Sequence, residues 1–138
     1  MKWEVALDKI EIRDFNPLTA SKKTIERKVA LRKKLDSKIG KNLSKIKKRT
    51  YGKHLFIDVC FYFLQSTKLG RSDKDLDNLL KILFDVLSDN MVNGQNRKDG
   101  LGLMTNDSYV YKIKCEKKVN FKDQEGLDLI ISTSTEKN

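Results

Sequence analysis

Near its middle the chain changes from a β-type to an α-type hydrophobic pattern, and this change most constrains its fold. Residues 54–65 (HLFIDVCFYFLQ) are rich in β-branched and aromatic side chains, which predicts a central strand. Residues 75–90 (DLDNLLKILFDVLSDN) then place apolar residues at alternating three- and four-residue spacings, which predicts an amphipathic helix. Strands that alternate with helices along a chain are typical of the α/β class.

The remaining segments extend this alternation. Residues 3–12, 108–117 and 127–132 predict strands. A basic helix is expected over residues 20–47, divided in two by Gly40, after a break at Asn16-Pro17. Its apolar stripe is assigned to Ile25, Val29, Leu35, Ile39, Leu43 and Ile46. The 138 residues are therefore expected to form one domain (1–138), an α/β fold of order β-α-β-α-β-β with a small mixed sheet packed by helices.

Two segments are expected to lie outside this framework. Residues 91–105 (MVNGQNRKDGLGLMT) contain three glycines and predict a long loop with a functional or mobile role. Residues 132–138 predict a frayed tail. No apolar run reaches the ~20 residues that a membrane helix needs, and the first residues lack a signal-peptide core. Cys60 and Cys115 are expected to be reduced thiols. These features favour a soluble cytoplasmic protein with no membrane partner.

The positive charge is concentrated in one segment. Residues 21–53 hold 14 basic and two acidic residues, a net charge of +12, whereas the whole chain carries +10. A field of this size attracts polyanions, among which nucleic acid is the commonest. The alternative is a solvated, lysine-rich helix face that only aids solubility.

Aspartates are concentrated around the start of the central helix. Asp73, Asp75 and Asp77 alternate there, and Asp77, Lys81 and Asp85 share one polar stripe. The simple interpretation is acidic residues near a helix N-terminus and an ordinary surface ion pair. However, two carboxylates ~5 Å apart repel by about 3 kcal/mol at an effective dielectric constant of ~20, and a divalent cation removes this cost.

A distant carboxylate adds to this cluster. Asp107 follows the glycine-containing segment and directly precedes a predicted strand. Carboxylate oxygens are the ligands that Mg²⁺ prefers, and Mg²⁺ suits phosphodiester chemistry. Together with the basic segment, this spacing suggests a metal-dependent nuclease.

The same residues resemble a known family. Residues 71–81 (RSDKDLDNLLK) are similar to the D-x-D-N-L-x-K helix of the RusA-type Holliday-junction resolvases. Residues 106–110 (NDSYV) resemble that family's D-D-x-x-V/I motif, and residues 17–23 (PLTASKK) its proline-plus-basic element. The chain departs from the pattern at Asn106, where the family often has an acid.

This resemblance implies a homodimeric α/β endonuclease that binds four-way-junction DNA and nicks two strands symmetrically in DNA recombination and repair. It implies Mg²⁺, or Mn²⁺ in its place, held by Asp75, Asp77 and Asp107, with Lys81 as a catalytic lysine. Asn78 is expected to fix the helix start or the orientation of a ligand, and Asp73 and Asp85 to have supporting roles. The site would function in the cytoplasm, at the nucleoid.

Phosphate contacts are expected from basic residues before and beside the acidic cluster. They are Lys22, Lys23, Arg27, Lys45, Lys47, Lys48, Arg49, Lys68, Arg71 and Lys74. His54, the only histidine, is assigned to a strand end rather than to a general base. Two alternatives remain: a non-catalytic protein that binds branched DNA, and a small basic RNA-binding protein.

Overall fold

The computed structural model describes residues 2–13, 15, 24–63, 76–91, 99–119 and 125–135. Its elements are β1 (Trp3–Arg13), α1 (Thr24–Ile39), a 3₁₀ turn (Gly40–Asn42), α2 (Leu43–Thr50), β2 (Leu55–Phe63), α3 (Leu76–Leu87), a 3₁₀ turn (Asp107–Tyr109), β3 (Val110–Val119) and β4 (Gly126–Ser134). This sequence of elements confirms the predicted mixed α/β fold and its order β-α-β-α-β-β.

The four strands form one mixed sheet in the order β1-β4-β2-β3. β2 and β3 are parallel, whereas β4 is antiparallel to both β1 and β2. Parallel neighbours need a crossover, and α3 supplies it between β2 and β3. β1 and β3 are therefore the two edges of the sheet within the described part of the chain.

The core contains alternate residues of β2 and the apolar stripe of α3. In β2 the buried side chains include Leu55, Ile57 and Val59, as a period of two requires. In α3 the predicted spacing is confirmed, and Leu83 and Val86 are completely buried. Such a stripe buries one side of the helix and leaves the other side polar.

The stripe of α1 differs from the expected one. Ile25 is 58% exposed and Val29 only partly buried, whereas the side chains that face the core are Lys28, Leu31, Leu35 and Ile39. The assignment of Ile25 to the core was wrong because the three- and four-residue spacing, traced back from Leu35, passes through Leu31 and then Lys28. A lysine occupies the end of the stripe because its ammonium group has a buried partner, described below.

Gly40 divides the basic helix as predicted. It has a φ of +59°, a conformation that glycine adopts without steric cost, and it begins the 3₁₀ turn between α1 and α2. The chain thereby changes direction between two basic helices.

The end of the segment 91–105 is part of the core rather than a mobile loop. Leu101 and Leu103 are almost completely buried, and their backbone N–H groups donate to the carbonyls of Val86 and Leu87 at 2.8 and 2.9 Å. These bonds satisfy carbonyls that the last turn of α3 leaves open. The expectation of mobility is therefore corrected for residues 99–105, while residues 92–98 lie outside the described ranges.

β4 also extends further than expected. It continues to Ser134, and Ser132, Thr133 and Ser134 are all buried, so only residues beyond this strand remain candidates for the frayed tail. The predicted break at Asn16-Pro17 lies outside the described residues. Among those residues, no helix is both long and apolar enough to cross a membrane.

Candidate active site and basic surface

The first two turns of α3 present two of the predicted catalytic residues to solvent. Asp77 and Lys81 are exposed, whereas Leu79 between them is buried. The apolar stripe dictates this arrangement, because residues four apart share one face of a helix. Neither side chain forms an ion pair or hydrogen bond within the described ranges, so the expected surface pair between them is not formed. Asp75, the third residue of the motif, lies outside those ranges.

Asp77 acts electrostatically on a thiol of β3. Burial, together with the smaller effects of the negative charges of Cys60, Asp77 and Glu116, raises the pKa of the Cys115 thiol to about 11. The carboxylate of Asp77 is thus close enough to act on Cys115. A raised pKa keeps this thiol protonated at neutral pH, so Cys115 is not a ready nucleophile.

Asp85 has a structural partner on α1. Its Oδ2 lies 2.8 Å from the Nζ of Lys28, and both side chains are largely buried. Lys28 also donates to the backbone carbonyl of Met91 at 3.2 Å. This contact connects α1, α3 and the start of the next segment, which gives Asp85 a supporting role in packing. Lys28 is therefore not available to a ligand. The sequence alone does not distinguish it from the other basic residues of the segment.

Asp107 occupies a short turn at the start of β3. The side-chain Oδ1 of Asn106 accepts hydrogen bonds from the backbone N–H and the hydroxyl of Ser108, so Asn106 caps the 3₁₀ turn that Asp107 begins. Asp107 is exposed. The asparagine therefore has a structural use at the position where the resembling family often has an acid.

The two described carboxylates of the predicted metal site belong to different elements. Asp77 lies on α3, whereas Asp107 begins the 3₁₀ turn that precedes β3. Among the described residues, no group of three His, Cys, Asp or Glu side chains could hold a metal.

The described members of the predicted phosphate-binding set lie on α2 and near the start of α1. Lys45, Lys48 and Arg49 are exposed on α2, and Lys47 and Arg27 are half-buried. The other predicted members, which are Lys22, Lys23, Lys68, Arg71 and Lys74, lie outside the described ranges.

A second charged cluster, which the sequence analysis missed, lies on the opposite side of the sheet from the helices. The Asp128 carboxylate accepts from the Tyr62 hydroxyl at 2.7 Å and lies 2.9 Å from Arg13. Burial and this hydrogen bond raise the pKa of Tyr62 above its usual range. Because these residues come from three strands, only the sheet register, and no sequence spacing, reveals their association. The cluster links β1, β2 and β4 across the sheet.

His54 stacks on Tyr111, with the ring centroids 3.6 Å apart, consistent with its assignment to a strand end. Comparisons of the chain with protein-family models, with curated proteins and with solved structures gave no significant match. The site is therefore interpreted from its own residues and from the motif resemblance alone.

Proposed function

We propose that the protein is a metal-dependent endodeoxyribonuclease that resolves four-way DNA junctions by paired, symmetric nicks. The observation that supports this most is the presence of Asp77 and Lys81 on one exposed face at the start of α3, where neither has an ion-pair partner among the described residues. Because both side chains are exposed, the Asp77 carboxylate is available to a metal ion and the Lys81 ammonium group to a phosphate. Residues 21–53, with their net charge of +12, would attract the DNA electrostatically.

We include a homodimer in this proposal, in which Asp107 of one copy completes the α3 site of the other. β3 is an edge strand on which Tyr111 and Ile113 are 58% and 46% exposed. If two copies paired antiparallel about a twofold axis at Tyr111, the turn that holds Asp107 in the second copy would lie beside the part of β3 that contains Cys115, on which Asp77 acts electrostatically. In this proposal each metal site combines Asp75 and Asp77 of one copy with Asp107 of the other.

Each residue then has a chemical role that its type can perform. Asp75, Asp77 and Asp107 would hold Mg²⁺, which polarises the scissile phosphate and activates a water when bound. Lys81 lies one helical turn from Asp77, where its ammonium group can stabilise negative charge on the departing oxygen. Asn78, exposed beside Asp77, would orient a ligand of the site. The protein would act in the cytoplasm, at the nucleoid.

A labelled synthetic four-way junction tests this function. We expect the purified protein to produce paired nicks at symmetric positions in Mg²⁺ or Mn²⁺, none in EDTA, and none in a linear duplex of the same sequence. Cleavage that persists in EDTA would contradict a metal-dependent mechanism. Absence of cleavage in both metals would remove the nuclease proposal.

The structure also gives one observation in favour of a non-catalytic, branched-DNA-binding protein. Asn106 replaces a carboxylate and is already engaged in capping Ser108. Such a protein would bind the junction without binding a metal at α3. Mn²⁺ binding that is lost in Asp77→Asn would contradict this candidate, whereas tight junction binding without either Mn²⁺ binding or cleavage would establish it.

A further inference from the structure

A groove runs along the outer edge of β1, between this strand and the helices α1 and α2. It consists of three adjoining cavities of about 240, 370 and 110 Å³. Lys38 lines the first and second, and Ala6 and Arg49 line the second and third. The groove extends from Arg13 to Glu4, nine residue steps that span about 30 Å along a strand.

The helix side of this groove is strongly basic. Its cations, in chain order, are Lys33, Lys34, Lys38, Lys45, Arg49 and Lys53. All are exposed except the half-buried Lys34. In the part of the chain that the structure describes, none of the six forms an ion pair. The acidic side chains of the lining, Asp8 and Glu4, belong to β1.

This arrangement differs from a lysine-rich face that only aids solubility. A solvated helix face commonly spaces acids and bases three or four residues apart so that they neutralise one another. Here the cations converge on one concave path, and the floor between them contains Leu7, Ile39 and Ile46. Unneutralised charge along an apolar groove fits a ligand that repeats a negative charge and carries apolar rings, as a sugar–phosphate backbone does.

We propose that the groove along β1 binds the phosphate backbone of one DNA strand at a place separate from the carboxylates. β1 and β3 are opposite edges of the sheet, three strand spacings or about 14 Å apart, and α3, which carries Asp77, contacts β3, whereas α1 and α2 contact β1. The groove would therefore hold DNA away from the cleavage point. This inference deepens the DNA-binding part of the proposed function and rests on it for the identity of the nucleic acid.

Two double variants with the same charge change test this. Lys45→Glu/Arg49→Glu reverses two cations that line the groove, and Lys2→Glu/Lys41→Glu reverses two exposed cations that do not line it. Affinity for a labelled four-way junction is measured by fluorescence anisotropy in EDTA between 50 and 200 mM salt.

We expect the groove variant to lose at least about tenfold more affinity than its matched control, and its salt slope to fall by about 1 for each lost phosphate contact. Equal losses in both variants would overturn the groove, because a general field would then explain the binding. Unchanged affinity in the groove variant would overturn it as well. Displacement of the junction by poly-glutamate at equal charge concentration would instead assign the groove to an acidic peptide.

The outcomes separate this proposal from the nuclease function because binding is measured without metal. A wild type that binds through the groove but never cuts in Mg²⁺ would retain the groove and remove the nuclease. A wild type that cuts while the groove variant binds normally would remove the groove and retain the nuclease.

Discussion

Asp77 and Asp85 lie eight residues apart on α3 and illustrate two uses of a carboxylate. Asp85 is buried against Lys28 at 2.8 Å, and this ion pair connects α3 to α1. Asp77 is exposed, and its neighbour Lys81 leaves it unpaired within the described residues. The difference shows that α3 uses one carboxylate to pack against α1 and presents the other to solvent. Substitutions should therefore affect activity at one end and stability at the other.

The largest expected effect is on cleavage. Asp77→Asn should lower the rate of junction cleavage by about 100-fold or more, because it removes a charged metal ligand and the electrostatic stabilisation that depends on it. Junction binding in EDTA and the free energy of unfolding should stay near wild-type values, since Asp77 is exposed. Full cleavage by Asp77→Asn with metal bound would show that the site is assigned to the wrong residues.

At the other end of α3 the expected effect is on stability. Lys28→Met should lower the free energy of unfolding by about 3 kcal/mol, because it leaves the partly buried Asp85 carboxylate without its cation. Urea denaturation measures this, with the exposed Lys33→Met as a control that should change stability by less than about 0.5 kcal/mol.

The double variant Lys28→Met/Asp85→Leu should regain most of this loss, since an apolar pair of similar volume often replaces a buried ion pair without cost. If Lys28→Met were as stable as the control, the ion pair would have no structural role. Asp85 would then not differ from Asp77 in its contribution to stability.

A smaller effect is expected at Gly100, which lies in the segment 99–105 that closes the end of α3. A Cβ added there would lie 1.8 Å from the backbone oxygen of Ser88. Gly100→Ala should therefore cost about 1–3 kcal/mol of stability through overpacking, measured by urea denaturation. An unchanged stability would mean that residues 99–105 are not packed on α3 in solution.

The smallest expected effect is a shift in a thiol pKa. In a Cys60→Ser background, Asp77→Asn should lower the pKa of Cys115 from its raised value of about 11, because one negative charge beside the thiol is removed. The pH dependence of alkylation measures this pKa, and Asp8→Asn on β1 serves as the control. Equal pKa values in Asp77→Asn and its parent would place Asp77 away from β3.

The raised pKa also affects stability with a definite sign. The folded state favours the protonated Cys115 thiol. The contribution of this thiol to the free energy of unfolding is therefore present below the ordinary pKa of 9.0 and declines as the pH rises toward about 11. Cys115→Ala should reduce this decline. The effect is limited because the thiol is only half-buried.

The sequence was sufficient for the order of elements because each element carries its own periodicity. The apolar spacing of residues 76–87 and the alternation of residues 55–63 are local signals, and the structure has both elements there. Gly40 was a similarly local signal for the division of the basic helix.

The sequence did not reveal contacts between residues that are distant along the chain. Lys28 resembles its basic neighbours until α3 brings Asp85 to it. The glycines of residues 91–105 suggested a loop, although Leu101 and Leu103 bond to the end of α3. The parallel register of β2 and β3 is likewise a long-range feature that no spacing along the chain encodes.

The central claim is that carboxylates from two copies of the chain form each metal site. The most direct test co-refolds Asp77→Asn with Asp107→Asn and assays Mg²⁺-dependent nicking of a four-way junction. Each variant alone should be inactive. The mixture should regain nicking at about a quarter of the wild-type site concentration, because half of the dimers are mixed and each has one intact site. An inactive mixture beside an active wild type would contradict the shared site and place the metal within a single chain.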